Sequence, residues 1–230
     1  MNNAYNDFTP YFLTAEHCTT CDIDWDKTMF YFNAQSPGCY NAWQDNYYTI
    51  EGSKLLVACG SWAWNTTNTD VALLELKDKV PLQYNVFFAG YDTRPRGEWD
   101  GDDYVTCIHH PAGGVKRISH GRVDANFFSW TWAKPGYWHV CYYDGVTQGG
   151  SSGSLVFLNR SKRVNGVTSH SSISEESCDN EVCDYVGKLR YCWHNAGTQG
   201  YLSQRNCYGI SQWSRPRSIL STEYRTQWAI

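Results

Sequence analysis

A chain of 230 residues with 42% apolar and 16% aromatic side chains can bury a substantial core, as one globular unit or two small fused ones. Its net charge of −4 and lack of a basic stripe argue against nucleic acid as a partner, and no apolar run reaches membrane-span length. The 10 cysteines point to an oxidising compartment and disulfides rather than zinc, because Cys18 and Cys21 form a C-x-x-C unit with no second unit at ribbon distance.

Helical periodicity is almost absent. Short apolar or alternating runs recur instead, and in chain order they predict strands over 11–14, 29–33, 55–59, 71–76, 85–89, 104–109, 138–143, 154–158, 164–168 and 188–193. Turn chemistry lies between them, as in Ser36-Pro37-Gly38, Pro111-Ala112-Gly113-Gly114, Lys134-Pro135-Gly136 and Asn159-Arg160-Ser161-Lys162. One short terminal helix is expected after Pro216. The polar stretch 175–184, with Glu175, Glu176, Asp179 and Glu181, is bracketed by Cys178 and Cys183 and reads as a stapled surface loop. Regularly spaced short strands of this kind build an all-β sandwich or barrel.

Three blocks carry chemistry. Thr14-Ala15-Glu16-His17-Cys18 is a strand ending in His, Thr69-Asp70-Val71-Ala72-Leu73-Leu74 places Asp before an apolar strand, and Gly149-Gly150-Ser151-Ser152-Gly153-Ser154 holds Ser among glycines. Acyl transfer needs a nucleophile, a base to take its proton, and an anion that orients the base and stabilises its imidazolium. Glycines let the backbone fold tightly around the Ser, so that the N–H groups of Gly150 and Ser152 aim at a developing oxyanion. The chain order His, Asp, Ser is that of the chymotrypsin-type barrel, whereas α/β-hydrolases run Ser, acid, His. His109 and His110 suggest a metal site at first sight, but neighbours on a strand point to opposite faces, so a shared ion is disfavoured. Neither a metal nor a cofactor is expected.

These blocks resemble the signatures of trypsin-like serine proteases, and the chain is most similar to the bacterial lysyl endopeptidase branch. Phe88-Ala89-Gly90-Tyr91-Asp92, Ile108-His109-His110-Pro111, Val115-Lys116-Arg117-Ile118-Ser119 and Lys162-Arg163-Val164-Asn165-Gly166 extend the likeness. The resemblance implies two antiparallel β-barrel halves of the chymotrypsin type, over 1–92 and 93–230, with His17, Asp70 and Ser152 as a triad in the cleft between them. It implies a serine endopeptidase that cleaves polypeptides after Lys or Arg through an acyl-enzyme. The alternative is an inactive or truncated homologue acting as a binding scaffold, and the presence of all three triad residues argues against it.

Further expectations follow from the same resemblance. Asp184, three residues before Gly187, matches the acid that faces a Lys substrate, and Trp130 matches an aromatic wall near the cleft. Ser169 stands where relatives place a Ser that hydrogen-bonds the triad Asp. Ser151 occupies the position at which many trypsin relatives carry an Asp that pairs with a freed N-terminus, so that activation switch is missing. The family implies a Cys18–Cys39 disulfide, and Cys178–Cys183, or either of these with Cys192, is a second pairing considered. With sixteen residues before His17 and no export signal at Met1, the first barrel is expected to lack its opening strands and to leave an apolar gap beside Tyr11–Thr14. A secreted or periplasmic monomer is the expected setting.

Overall fold

Alternating burial builds most of the regular structure. In Arg117–Val123, for example, Ser119, Gly121 and Val123 are buried while Ile118 and Arg122 face solvent. The structure, a computed structural model, describes residues 1–20, 22–38, 47–60, 69–95, 103–124, 136–171 and 182–195.

The first half contains β1 (Tyr11–Thr14), β2 (Met29–Phe32), β3 (Tyr48–Glu51), β4 (Ser53–Ala58) and β5 (Ala72–Leu76). Among the described residues these form a three-stranded antiparallel sheet in the order β1-β5-β4 and a separate β2-β3 pair. The second half contains β6 (Tyr104–His109), β7 (Arg117–Val123), β8 (Tyr137–Asp144), β9 (Leu155–Leu158), β10 (Val164–Ser171) and β11 (Val182–Lys188), followed by the helix α1 (Leu189–Asn195). Its strands close into an antiparallel barrel in the order β10-β11-β8-β7-β6-β9. This is the expected all-β architecture, with one closed barrel and further antiparallel sheets.

Valines, Cys107 and Tyr142 fill the barrel. A second core spans the seam, where Leu13, Val57, Val71 and Leu73 pack with Ile108, Leu155, Val167 and Leu189. The two halves therefore share apolar burial, which is what holds their facing ends in a fixed relation. β1 pairs with β5, the Met1 amine donates to its Tyr11 carbonyl, and an apolar cleft lined by Phe12, Leu76, Val80, Phe88 and Leu155 lies beside it.

Several expectations are corrected. Residues 85–89 are not a strand, because Asn85 lies in the left-handed region (φ 51°) as the cap of a 3-10 turn at Leu82–Tyr84. Residues 189–193 are helical, since Leu189, Cys192 and Trp193 bury one face at helical spacing against the seam. The strands β3 and β7 appear where none was predicted. So does β11, which places Val182, Cys183 and Asp184 in the barrel wall rather than in a surface loop. Among the described residues the disulfides are Cys59–Cys192 and Cys141–Cys183. Cys183 faces Cys141 across the β8–β11 pair, and α1 carries Cys192 back to Cys59 beyond β4, so neither thiol is left for Cys178 or for the other. Cys39, Cys178, Trp130 and the segment after Pro216 lie outside the described residues.

Candidate active site

β1 leads into a 3-10 turn, Glu16–Thr19, that presents His17. Asp70 precedes β5 in the left-handed region (φ 53°), a conformation that costs a non-glycine residue roughly 1–3 kcal/mol. That backbone is held by its own hydrogen bonds: the Asp70 N–H donates to the Gly60 carbonyl (2.9 Å) and its carbonyl accepts from the Glu16 N–H (3.1 Å).

The Asp70 carboxylate is fully buried and is satisfied by three donors. The His17 backbone N–H donates to Oδ1 (2.7 Å), and His17 Nδ1 lies 2.6 Å from Oδ2. The hydroxyl of Ser169 also donates to Oδ2. A carboxylate taken wholly out of water requires such partners, and bonds to a charged acceptor are the stronger kind. With Nδ1–H donating to Asp70, the lone pair of His17 is at Nε2, on a ring that is 31% exposed. Tyr137 stands close by. Burial, then the Asp70 charge, push its phenol well up against the opposing effect of a hydrogen bond with Ser169, so it stays protonated.

The glycine loop folds back on itself. Ser151 N–H donates to the Gln148 carbonyl (2.9 Å) and Ser154 N–H to the Ser151 carbonyl (3.1 Å). Gly150 (φ 91°) and Gly153 (φ 85°) adopt conformations that side-chain-bearing residues rarely reach. A β-carbon on Gly153 would fall 2.4 Å from Thr14 Oγ1, so the loop abuts the strand end that delivers His17. Among the described residues, the N–H groups of Gly150 and Ser152 have no acceptor. Ser152 Oγ donates to the Ser169 carbonyl (3.2 Å), and no hydrogen bond among the described residues joins it to His17. Ser169 thus links the two sides of the site, with its hydroxyl on Asp70 and its carbonyl on Ser152.

Asp184 is 1% exposed in β11, opposite Val140 of β8 and Ser171 of β10, and accepts from Thr147 Oγ1 (2.7 Å). It is therefore not one more solvated acid of the surface stretch. Its charge is felt inside the barrel. Burial first, and Asp184 after it, push the Cys107 thiol up to about 12 despite a hydrogen bond with Thr168. Thr147 lies five residues before Ser152 in the chain, so this bond ties Asp184 to the segment that leads into the glycine loop. Sequence reasoning missed Tyr137 and Thr147, and no local signal marks either. The His139, Cys141 and Cys183 side chains lie close enough together to suggest a metal site, but the disulfide consumes both thiols.

A family model described as "Lysyl endopeptidase, C-terminal domain" matches residues 1–186. Among solved structures, "HtrA-type protease AlgW with decapeptide" is similar, with a TM-score of 0.44 and 13% identity over 80% of this chain and 46% of that one. The chain therefore spans about half the length of that structure.

Proposed function

The chain belongs to the lysyl endopeptidase C-terminal domain family, and from that premise we propose that it is a serine endopeptidase acting through Ser152, His17 and Asp70. The Ser152 hydroxyl swings from the Ser169 carbonyl to His17 Nε2 and gives up its proton as Oγ bonds to the scissile carbonyl carbon. The carbonyl oxygen becomes an oxyanion held by the N–H groups of Gly150 and Ser152. His17 then protonates the leaving amine as the C–N bond breaks, and water repeats the sequence to free the acid from Ser152. Asp70 stays ionised throughout and stabilises the imidazolium. The observation that carries this reading is the two-point clamp of Asp70 on His17, bridged by Ser169 to the hydroxyl of Ser152.

We further propose that Asp184 receives the ammonium of a Lys, or the guanidinium of an Arg, before the scissile bond. A buried cation needs an anion, and Asp184 is a buried acid bonded to Thr147, in the segment that leads to Ser152. Two disulfides support a secreted or periplasmic setting. One observation favours the rival reading of an inactive scaffold: the Ser152 hydroxyl is turned to Ser169 rather than to His17.

A fluorophosphonate probe separates the two. The endopeptidase labels at Ser152 and cleaves Lys-containing peptides, and Ser152→Ala loses both properties. An unlabelled parent chain, or a Ser152→Ala variant that still cleaves, would overturn the reading.

A further inference from the structure

The loop that carries Ser152 is rich in glycine and exposed from Gln148 to Gly150, yet Ser151 within it is 1% exposed. Glycine-rich backbone has much freedom to lose, so a loop that must hold two N–H groups in place needs an anchor. Ser151 is that anchor. Its hydroxyl lies 2.9 Å from Nδ1 of His109, a residue with no exposed surface at the end of β6. His109 Nε2 lies 3.0 Å from Ser119 Oγ of β7, and Ser119 Oγ donates to the Val146 carbonyl (3.2 Å).

The proton order in this chain follows from its ends. Ser119 gives its proton to Val146, so it accepts from Nε2–H of His109. Nδ1 is then an acceptor, and the Ser151 hydroxyl donates to it. Ser151 Oγ in turn accepts from the Gln148 N–H (3.1 Å). The run from the Gln148 amide to the Val146 carbonyl is complete, one-way and uncharged. Burial first, and then the charges of His110 and Arg117, hold the His109 imidazole down to about 4, in keeping with its neutral form. Gly145 makes the far end possible, since a β-carbon there would fall 2.7 Å from Ser119 Oγ. The same segment grips the loop a second time, because Ala112 N–H donates to the Gly149 carbonyl (2.8 Å) and a β-carbon on Gly150 would sit 3.3 Å from the Gly113 nitrogen.

We propose that His109 is a positioning residue for the oxyanion loop: through Ser151 it locks the N–H groups of Gly150 and Ser152 in the folded chain, without a charged partner. The inference rests on the endopeptidase reading above and adds its regulation. The loop is held by the barrel wall from the moment the barrel folds, so no separate ordering step is required.

The test compares the parent with His109→Leu, Ser151→Ala and His109→Asn, whose amide oxygen replaces Nδ1 as acceptor for Ser151. For a Lys-containing peptide, His109→Leu and Ser151→Ala are expected to lower kcat by about tenfold to a hundredfold, less than deletion of an oxyanion donor, with KM held within about twofold. A lysine-derived peptide aldehyde, which places an oxyanion in the cradle, should bind weaker by a similar factor. An alkylammonium ion, which would engage Asp184 and not the cradle, should bind as before. His109→Asn is expected to recover most of kcat. Unchanged kcat in both deletion variants, or loss of alkylammonium binding in step with kcat, would overturn the proposal, the second by showing general collapse. Nitrogen NMR of labelled histidine gives a readout independent of turnover: His109 should be neutral with its proton on Nε2, and Ser151→Ala should shift the Nδ1 resonance. A proton on Nδ1 would overturn the lock. A parent inert to the fluorophosphonate probe would instead overturn the endopeptidase reading.

Discussion

Gly187 of β11 lies directly against the Thr69 carbonyl: a β-carbon on it would fall 1.8 Å from that oxygen and 3.2 Å from Val71 Cγ2. The absence of a side chain at this one position lets the second barrel close on the turn that carries Asp70. The obstacle is backbone, which cannot rotate away. Gly187→Ala is therefore expected to destabilise the fold by about 3 kcal/mol, at the upper end of overpacking costs, and to displace Asp70 from His17. Urea unfolding should show a lower midpoint, and probe labelling at Ser152 should slow markedly. A midpoint equal to that of the parent would refute this contact.

Ser169→Ala removes one of three donors to a carboxylate with no access to water. Hydrogen bonds to charged groups are worth about 1.5–3 kcal/mol, so kcat/KM should fall by about tenfold to a hundredfold while the backbone carbonyl that receives Ser152 is retained. Steady-state kinetics across pH tests it. The fall should be in kcat, with KM nearly unchanged, since the lost bond supports the proposed base and not the substrate.

Asp184→Asn keeps the shape of the side chain and its bond with Thr147 while removing the charge. Cleavage after Lys and Arg should drop by about a hundredfold or more, as expected when a buried cation loses its anion. The rate of reaction of Ser152 with a small neutral fluorophosphonate should stay within about threefold of the parent, because that probe carries no cation for Asp184 to hold. Equal cleavage of Lys peptides by variant and parent would remove Asp184 from the specificity role.

Acid should weaken the fold through His109. Its folded-state value is held down to about 4 by burial first, with His110 and Arg117 adding to it, against about 6.5 for an unfolded histidine. Between these values the unfolded chain binds a proton that the folded chain refuses, so stability rises with pH over this window and is level above it. Up to about 3 kcal/mol should be lost as pH falls from 6.5 to 4. Carboxylates also titrate there, so the measurement is a difference. Urea midpoints at pH 7 and pH 4.5 should separate further for the parent than for His109→Asn. Parallel losses would mean that His109 is not neutral in the fold.

The Cys59–Cys192 bridge ties the strand side of the first half to α1, across a sequence separation of 133 residues. Closing so long a loop restricts the unfolded chain and is worth about 5 kcal/mol by loop entropy. Paired Cys59→Ser and Cys192→Ser substitutions should lower the melting temperature by well over the shift seen for an exposed single substitution, as calorimetry would show.

Sequence alone delivered the strands whose buried positions are apolar. β1 and β6 were read to the residue, and β5, β8, β9 and β10 within a few. It failed where the inward positions are not apolar. β7 buries Ser119 and Gly121, and β11 buries Asp184, so neither shows a hydrophobic period. β3 buries only Ile50. The helix α1 is too short for its Leu189, Cys192 and Trp193 stripe to stand out from a strand-like run. In the candidate site, the residues that the structure brings together, His17, Asp70, Ser152 and Ser169, each stand out in a local block of the sequence. Their partners were not, since the contacts that matter join residues far apart in the chain, such as Ser169 with Asp70 at a separation of 99 and His109 with Ser151 at 42.

The covalent link between Cys141 and Cys183 bears on how β11 is read by its neighbours. Successive side chains on a strand alternate between faces, so sliding β11 by one residue along β8 would turn Asp184 out to solvent and swing Cys183 inward. Cys183 is the immediate neighbour of Asp184, and its bond to Cys141 forbids that slip for as long as the bridge is intact. Reductive opening of the bridge would release a strand whose misalignment by a single step exchanges the barrel's internal negative charge for a thiol.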